Sequence, residues 1–207
     1  MKKNIFIASI VFLISITFFV QNTNAATGYE GYAVYRDGST PNYDWHAGLM
    51  DEPYNTNYLP VLHHSGNGYV KWDSWSGFLN GESFKGVYRP KGAPTSSQRD
   101  AFVAMGRNLR SENIPYNLIY QVYYDRDTTG KYVYASDITS IRCDGVVEYV
   151  YEFYYFRVHG SNSDNWDVSV NDYWIRDHHS YPAVTPKKQI SNMVFVSSRA
   201  DGNGTIN

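Results

Sequence analysis

The chain has 207 residues, enough for one domain with a sizeable core, and 18% of them are charged. The formal net charge of −2 at neutral pH excludes the strongly basic surface that nucleic-acid binding requires. A single cysteine in the whole chain excludes an internal disulfide.

A secretory signal peptide is predicted at residues 1–25. The chain begins with Met-Lys-Lys, continues with an apolar stretch from Ile5 to Val20, and then carries two small residues at the spacing of a cleavage site. This order is typical of a leader that is cleaved after Ala25. The apolar stretch is short for an anchor that spans a bilayer, and no later segment is apolar enough to do so.

The mature chain, residues 26–207, is expected to form a single domain in a secreted or cell-wall-associated protein. Cleavage of the leader removes Lys2 and Lys3 and no acid, which leaves 16 of the 18 basic residues against 20 acidic ones. No internal repeat or low-complexity linker divides the chain. The prediction is therefore one compact unit without stable membrane insertion and without a nucleic-acid partner.

The first half of the mature chain shows the pattern of short strands. Gly28–Arg36 alternates tyrosine with small residues, as an edge strand or a loop does. Further strands are then predicted, in chain order, at 45–50, 58–64, 69–72 and 84–88, with a turn at 65–68 and a short helix at 75–80.

Two longer helices are predicted in the second half. The first covers 96–112, because Thr95-Ser-Ser-Gln98 forms a capping box and apolar residues follow at helical spacing. The second covers Cys143–Phe156, with valines and tyrosines inward. The segment 116–134 is predicted as β-structure or loop, and 193–197 as a last strand. Helices segregated from an antiparallel sheet indicate an α+β fold.

Cys143 opens the second of these helices directly after a loop. The unpaired N–H groups and the dipole of a helix N-terminus stabilise a thiolate, and an adjacent imidazolium lowers the thiol pKa further. The backbone N–H of the same residue can also face the oxyanion of a tetrahedral intermediate. The alternative is a buried structural cysteine. The position at the start of a helix favours a nucleophile over that alternative.

The segment Cys143-Asp-Gly-Val-Val-Glu-Tyr-Val150 resembles the nucleophile motif of the NlpC-type cysteine peptidases, which belong to the papain-like superfamily. Trp45-His-Ala-Gly-Leu-Met50 is similar to the histidine strand of that family, with His46 as the base. In the ordinary family the histidine follows the cysteine, whereas here it precedes it by 97 positions (143 minus 46). This order resembles the circularly permuted branch, which includes YiiX-like proteins and lecithin-retinol-acyltransferase-like enzymes.

Further segments extend the resemblance over roughly residues 40–155. Val61-Leu-His-His-Ser-Gly66 is similar to the family's next strand, which ends in a third polar catalytic residue. Segments 70–79 and 95–117 are also similar to parts of the permuted branch. The resemblance implies a permuted papain-like fold, in which a small antiparallel sheet or half-barrel packs against helices.

The resemblance implies a catalytic set of Cys143, His46, His63 and Tyr116. The thiolate attacks a carbonyl, His46 holds the thiol proton and returns it to the leaving group, and His63 fixes the tautomer of that ring. Neighbouring strand residues point to opposite faces, so only one of His63 and His64 is expected to face the site, and the family position favours His63. Tyr116 matches a tyrosine whose hydroxyl helps the oxyanion hole; the alternative is a core aromatic.

A second group of histidines offers a rival site. His178 and His179 lie near Asp172 and Asp177 in the sequence, but no recognised metal-ligand spacing is present. A solvated pair of loop histidines is the favoured interpretation, and His159 is interpreted as a residue that interacts with a helix C-terminus. No metal or other cofactor is predicted.

These observations predict a secreted cysteine hydrolase that cleaves an amide bond, with peptides of the cell wall (peptidoglycan) as the substrate. The first alternative is a thiol acyl hydrolase or acyltransferase on lipid-like substrates, because a thioester serves both reactions and the permuted branch includes such enzymes. The second alternative is a non-enzymatic binding module with an aromatic surface. No amphipathic basic helix or hydrophobic insertion stands out in the sequence to favour lipid.

Overall fold

The computed structural model describes residues 28–38, 45–52, 59–124, 132–158, 166 and 184–200. The predicted signal peptide and the rival histidine group lie outside the described residues. The group comprises His159, Asp172, Asp177, His178 and His179.

A six-stranded antiparallel sheet forms the centre of the fold. Its six strands are β1 (Ala33–Asp37), β2 (Trp45–Met50), β3 (Val61–His63), β4 (Lys71–Asp73), β5 (Phe84–Pro90) and β8 (Met193–Ser197). In space they lie in the order β4-β3-β2-β1-β5-β8. The predicted small antiparallel sheet is confirmed, although β3 and β4 are shorter than, or offset from, their predicted ranges.

Strand β1 lies inside the sheet, so the expectation of an edge strand or loop at Gly28–Arg36 is wrong. It pairs with β2 on one side and with β5 on the other. Ala33 and Tyr35 are buried on one face and Val34 is buried on the other. A strand covered on both faces does not show the polar–apolar alternation by which strands are recognised.

The helices begin where the sequence predicts and end close to or before the predicted residue. Helix α1 is Trp75–Leu79, and α2 is Ser96–Ser111 with the Thr95–Gln98 capping box formed. Helix α3 is Cys143–Phe153, three residues shorter than predicted. It stops early because Tyr155 has a φ of 66°, a left-handed conformation that an α-helix cannot include.

Two apolar cores cover the two faces of the sheet. The larger core packs α2 and α3 against Ala33, Tyr35, Ala47 and other residues of the same face. The smaller core packs Phe78 of α1 against the opposite face. Since strand residues alternate between faces, Ala47 faces the larger core and His46 faces the smaller one.

A two-stranded sheet leads the chain into α3. It consists of β6 (Val122–Tyr124) and β7 (Ile138–Ile141), and it is followed within two residues by Cys143. A side chain at Gly145 would collide with the carbonyl oxygen of Gln121, so a glycine is required where the β6 segment crosses the first turn of α3.

The remaining elements are short. A 3₁₀ turn at Ala135–Asp137 precedes β7, and a helix α4 (Pro186–Gln189) continues as a 3₁₀ turn into β8. Separate helices and an antiparallel sheet make this an α+β fold, as predicted. Among the described residues, no helix has both the length and the hydropathy to cross a membrane.

Candidate active site

His46 lies in β2 with its ring on the face of the sheet covered by α1. The side chain is 9% exposed, and its ring centroid is 5.6 Å from that of Phe78. Across the ladder it is paired with Arg36 of β1. Burial, followed by the neighbouring His63 and Arg36, lowers the pKa of His46 well below its ordinary value. The imidazole is therefore neutral at neutral pH, the form that can accept a proton.

His63 lies in β3 directly behind the His46 ring. His46 Nε2 and His63 Nδ1 are 2.7 Å apart, and the two rings meet edge to face at 85°. Gly48 makes room for this pair, because a Cβ there would lie 2.6 Å from Val61 and 3.1 Å from the Phe78 ring. Burial lowers the pKa of His63 as well.

Asp73 of β4 extends the histidine pair, and sequence reasoning missed it. His63 Nε2 is 3.4 Å from Asp73 Oδ2, and Lys71 Nζ is 2.9 Å from the same oxygen. The hydrogen bond from His63, together with Lys71, holds the pKa of Asp73 well below its usual range. The antiparallel register of β3 and β4 decides this contact, since it pairs His63 with Lys71 and Val61 with Asp73. The only sequence signal was the turn at 65–68 between the two strands.

The carboxylate defines the tautomers of both rings. An ionised Asp73 only accepts hydrogen bonds, so His63 donates from Nε2 and accepts at Nδ1. His46 then carries its proton on Nε2, which donates to His63. The remaining nitrogen, His46 Nδ1, holds the lone pair and is the atom that can remove a proton from a nucleophile.

Cys143 is the first residue of α3 and its side chain is 2% exposed. The backbone N–H groups of Ala47 and Asp144 donate to its sulfur. Ala47 directly follows His46, so the thiol lies beside the strand that carries the predicted base. Strand β3 pairs with β2 only at Leu49 and Met50, which keeps the Ala47 end of β2 open to α3.

The pKa of the Cys143 thiol is shifted in the direction opposite to the one expected from the sequence. Burial, followed by the adjacent Asp144 carboxylate, raises the pKa of Cys143 to about 12. The two donated N–H groups and Arg142 act in the opposite direction but are outweighed. The expected lowering by the helix N-terminus is wrong for this buried thiol, because desolvation disfavours the thiolate more than the helix start favours it. The resting site contains a neutral thiol and a neutral imidazole.

A buried polar cluster anchors the start of α3. Arg142 donates to both carboxylate oxygens of Asp144 at 2.6 Å, and Gln121 donates to Asp144 and to Glu148. Gln189 of α4 donates to Glu148 and to the backbone carbonyl of Asp144. Such a cross-linked cluster fixes the first turn of the helix, and with it the position of Cys143.

His64 and Tyr116 lie together on the other side of the opening. Their ring centroids are 5.0 Å apart, His64 is fully buried, and Tyr116 is half-buried. The Gly66 N–H donates to His64 Nδ1 at 3.2 Å. Burial lowers the pKa of His64 to about 4. His63, and not His64, forms the short contact with His46, and this is the arrangement that the family position predicts.

These residues surround one cavity of about 300 Å³. It is lined by Arg36, Gly38, Trp45, His46, His64, Ser65, Gly66, Asn67, Tyr116, Leu118 and Cys143. The structure thus brings three of the four predicted site residues to a common opening, with His63 behind His46. Of His63 and His64, only His64 lines the cavity itself, whereas the family position favoured His63, which contacts His46 from behind. β3 ends at His63, so His64 no longer follows strand alternation and lines the cavity.

Comparisons with known proteins identify no family for this chain. No family model, no curated protein and no solved structure matches the chain. Within the described ranges, no group of three or more histidine, cysteine or acidic side chains has the arrangement of a metal site.

Proposed function

We propose that this protein is a secreted cysteine hydrolase of circularly permuted papain-like architecture, which cleaves an amide bond in cell-wall peptides. The observation that carries the proposal is the 2.7 Å contact between His46 Nε2 and His63 Nδ1, on a cavity that also contains the Cys143 thiol. A base oriented by a second group, on a cavity that a cysteine also lines, provides the groups that nucleophilic catalysis needs.

The proposed proton path begins at the thiol. As the Cys143 sulfur attacks a substrate carbonyl carbon, its proton moves to Nδ1 of His46. The imidazolium that forms is stabilised by His63, and through it by Asp73, whose contact with His63 Nε2 is 3.4 Å. Because the resting thiol is neutral, attack and proton transfer occur together, rather than from a preformed thiolate.

The remaining steps complete a two-stage hydrolysis. The C–N bond breaks, the amine departs with the proton from His46, and a thioester to Cys143 is left. A water molecule then gives a proton to His46 and attacks the thioester carbonyl. The C–S bond breaks, the acid is released, and His46 returns the proton to the sulfur. The Ala47 and Asp144 N–H groups that donate to the sulfur stabilise its negative charge when the C–S bond breaks. Tyr116, at the cavity wall, is placed in the proposal as a donor to the oxyanion.

The permuted architecture is supported by the order and packing of two elements. The strand with the base, β2, precedes the nucleophile helix α3 in the chain and packs against it. The substrate class follows from the predicted export, which brings the enzyme to the cell-wall polymer, and from an open cavity large enough for several heavy atoms on either side of a peptide bond.

The test is to incubate the exported chain with soluble peptidoglycan fragments and to follow new amine and carboxylate ends by mass spectrometry. The wild type should convert a fragment into two products whose masses together exceed the substrate by one water. Cys143→Ala should abolish the conversion, while Thr139→Ala, at an exposed position four residues earlier, should retain it.

The outcome separates the alternatives. If the chain releases an acyl group from a lipid-like ester or amide and cleaves no peptide fragment, the substrate is a lipid-like acyl compound and not a cell-wall peptide. If Cys143→Ala processes the fragments as fast as the wild type, the nucleophile is misassigned and the proposal fails.

A further inference from the structure

Two large aliphatic side chains are exposed at the mouth of the cavity. Leu118 is 56% and Ile119 is 60% exposed, among the highest values for large apolar residues of the described chain. We call residues 117–120 the apolar tip. Monomeric proteins seldom place adjacent aliphatic residues in water without a use for them.

The exposure of the tip is built into the turn. The Asn117 side-chain oxygen accepts hydrogen bonds from the backbone N–H groups of Ile119 and Tyr120, at 2.8 and 3.1 Å. Its amide nitrogen donates to the Ser140 hydroxyl at 2.8 Å, which ties the turn to β7. An asparagine that caps its own turn in this way holds the two aliphatic side chains outward.

The tip belongs to the rim of the candidate active site. Leu118 lines the cavity together with Cys143, whereas Ile119 lies beside it and is not part of the lining. An isolated β-bridge joins Pro115 to Tyr69, whose side chain is 54% exposed. The loop that carries Leu118 is therefore joined to a second loop that also exposes a large side chain.

The two loops on this side of the opening carry no formal charge, and Arg36 is the one charged residue among the described residues that line the cavity. Residues 114–124 contain no lysine, arginine, aspartate or glutamate, and neither do residues 65–70. In a chain that is 18% charged, these two loops can approach an apolar phase without the cost of desolvating ions.

We propose that the apolar tip docks the mouth of the cavity onto a lipid surface. Protein interfaces surround an apolar centre with a polar, hydrogen-bonding rim, whereas the two loops here carry Tyr69, Tyr120 and Tyr123, and the rings of Tyr120 and Tyr123 lie 5.0 Å apart. Tyrosine beside aliphatic residues is typical of the boundary between lipid and water. Docking presents Cys143 to molecules held at the membrane surface, and it goes beyond the hydrolysis proposed above without depending on it.

The test is co-sedimentation of the exported chain with two kinds of vesicle, pure phosphatidylcholine and equal parts of phosphatidylcholine and phosphatidylglycerol. Because the two loops are uncharged, the wild type should sediment with both kinds, and high salt should not release it. Ile119→Ser should lower the partition coefficient about tenfold, since one large aliphatic side chain is lost from the lipid contact. The double variant with Leu118→Ser should remain in the supernatant.

The matched control is Phe195→Ser, which removes an equally exposed apolar side chain, 54% exposed, from the opposite edge of the sheet. It should sediment like the wild type, and circular dichroism should show that all variants are folded. The proposal is overturned if the wild type stays in solution with both vesicles, or if Phe195→Ser loses as much binding as Ile119→Ser. Cys143→Ala should bind vesicles normally, so loss of hydrolysis and loss of docking can be told apart.

Discussion

His46 donates from Nε2 to Nδ1 of His63 across 2.7 Å, and this contact orients the ring nitrogen that remains. The donor and acceptor roles follow from Asp73 at the far end, which accepts from His63. In the proposed reaction, positive charge formed on His46 would be partly compensated by the Asp73 carboxylate, through the His63 ring between them.

His63→Ala should lower kcat by roughly 100-fold or more, because His46 loses the partner that fixes its tautomer and stabilises its imidazolium. Steady-state hydrolysis of a peptidoglycan fragment measures the effect. His64→Ala is the neighbouring control and should retain most of kcat, since His64 contacts Tyr116 rather than His46. An inactive but folded His64→Ala beside an active His63→Ala would reverse the assignment.

Asp73→Asn should lower kcat while leaving KM within a few-fold of the wild type. The amide can donate as well as accept, so it no longer forces the His63 proton onto Nε2, and His46 loses its defined lone pair. The control is Lys71→Gln, which removes the cation 2.9 Å from Asp73 Oδ2 and leaves the carboxylate in place. Equal loss of kcat in both variants would assign the effect to the Lys71–Asp73 salt bridge instead of the hydrogen-bonded chain from His46 through His63 to Asp73.

The sequence predicted those parts of the fold that depend on local patterns. The bounds of β2 and β8 and the start of α3 agree with prediction, because alternation and a helix-opening residue are local signals. The end of α3 and the interior position of β1 were not predicted correctly. The backbone conformation of Tyr155 and the pairing partners of β1 are set by tertiary packing.

The candidate site divides in the same way. Cys143, His46 and His63 could be chosen from the sequence through a resemblance between segments, and their catalytic roles stay predictions. Asp73 could not be chosen, because its place beside His63 depends on the register of β3 and β4. The direction of the thiol pKa was wrong, because a helix start is visible in the sequence but complete burial of the sulfur is not.

Cys143 should be alkylated slowly by iodoacetamide at neutral pH, with a rate that keeps rising as the pH is increased. The reason is that burial raises the pKa of the Cys143 thiol to about 12, so little thiolate is present in the resting enzyme. Mass spectrometry of the modified chain at several pH values measures the rate. A rate that is already maximal at neutral pH would show a resting thiolate and contradict the neutral pair.

Acidification should destabilise the fold through His64. Its pKa is about 4 in the folded chain and about 6.5 in the unfolded chain, because burial disfavours the charged ring. Well above pH 6.5 the ring is neutral in both states, so its protonation does not change the free energy of unfolding there. As the pH falls from 6.5 towards 4, the unfolded chain binds a proton that the folded chain does not, so the free energy of unfolding decreases.

Urea unfolding at pH 7 and pH 4.5 measures this effect. His64 alone should account for a loss of about 1 to 2 kcal/mol between these pH values, because the ring borders an open cavity and solvent screens part of its charge. His64→Gln should remove this loss because glutamine does not titrate. Tyr116→Phe is the control, since it keeps a ring against His64 and should keep the wild-type pH dependence. Buried His46 and His63 also have lowered pKa values, so His64→Gln should still lose some stability in acid. If His64→Gln loses as much as the wild type, the ring is not held neutral by burial.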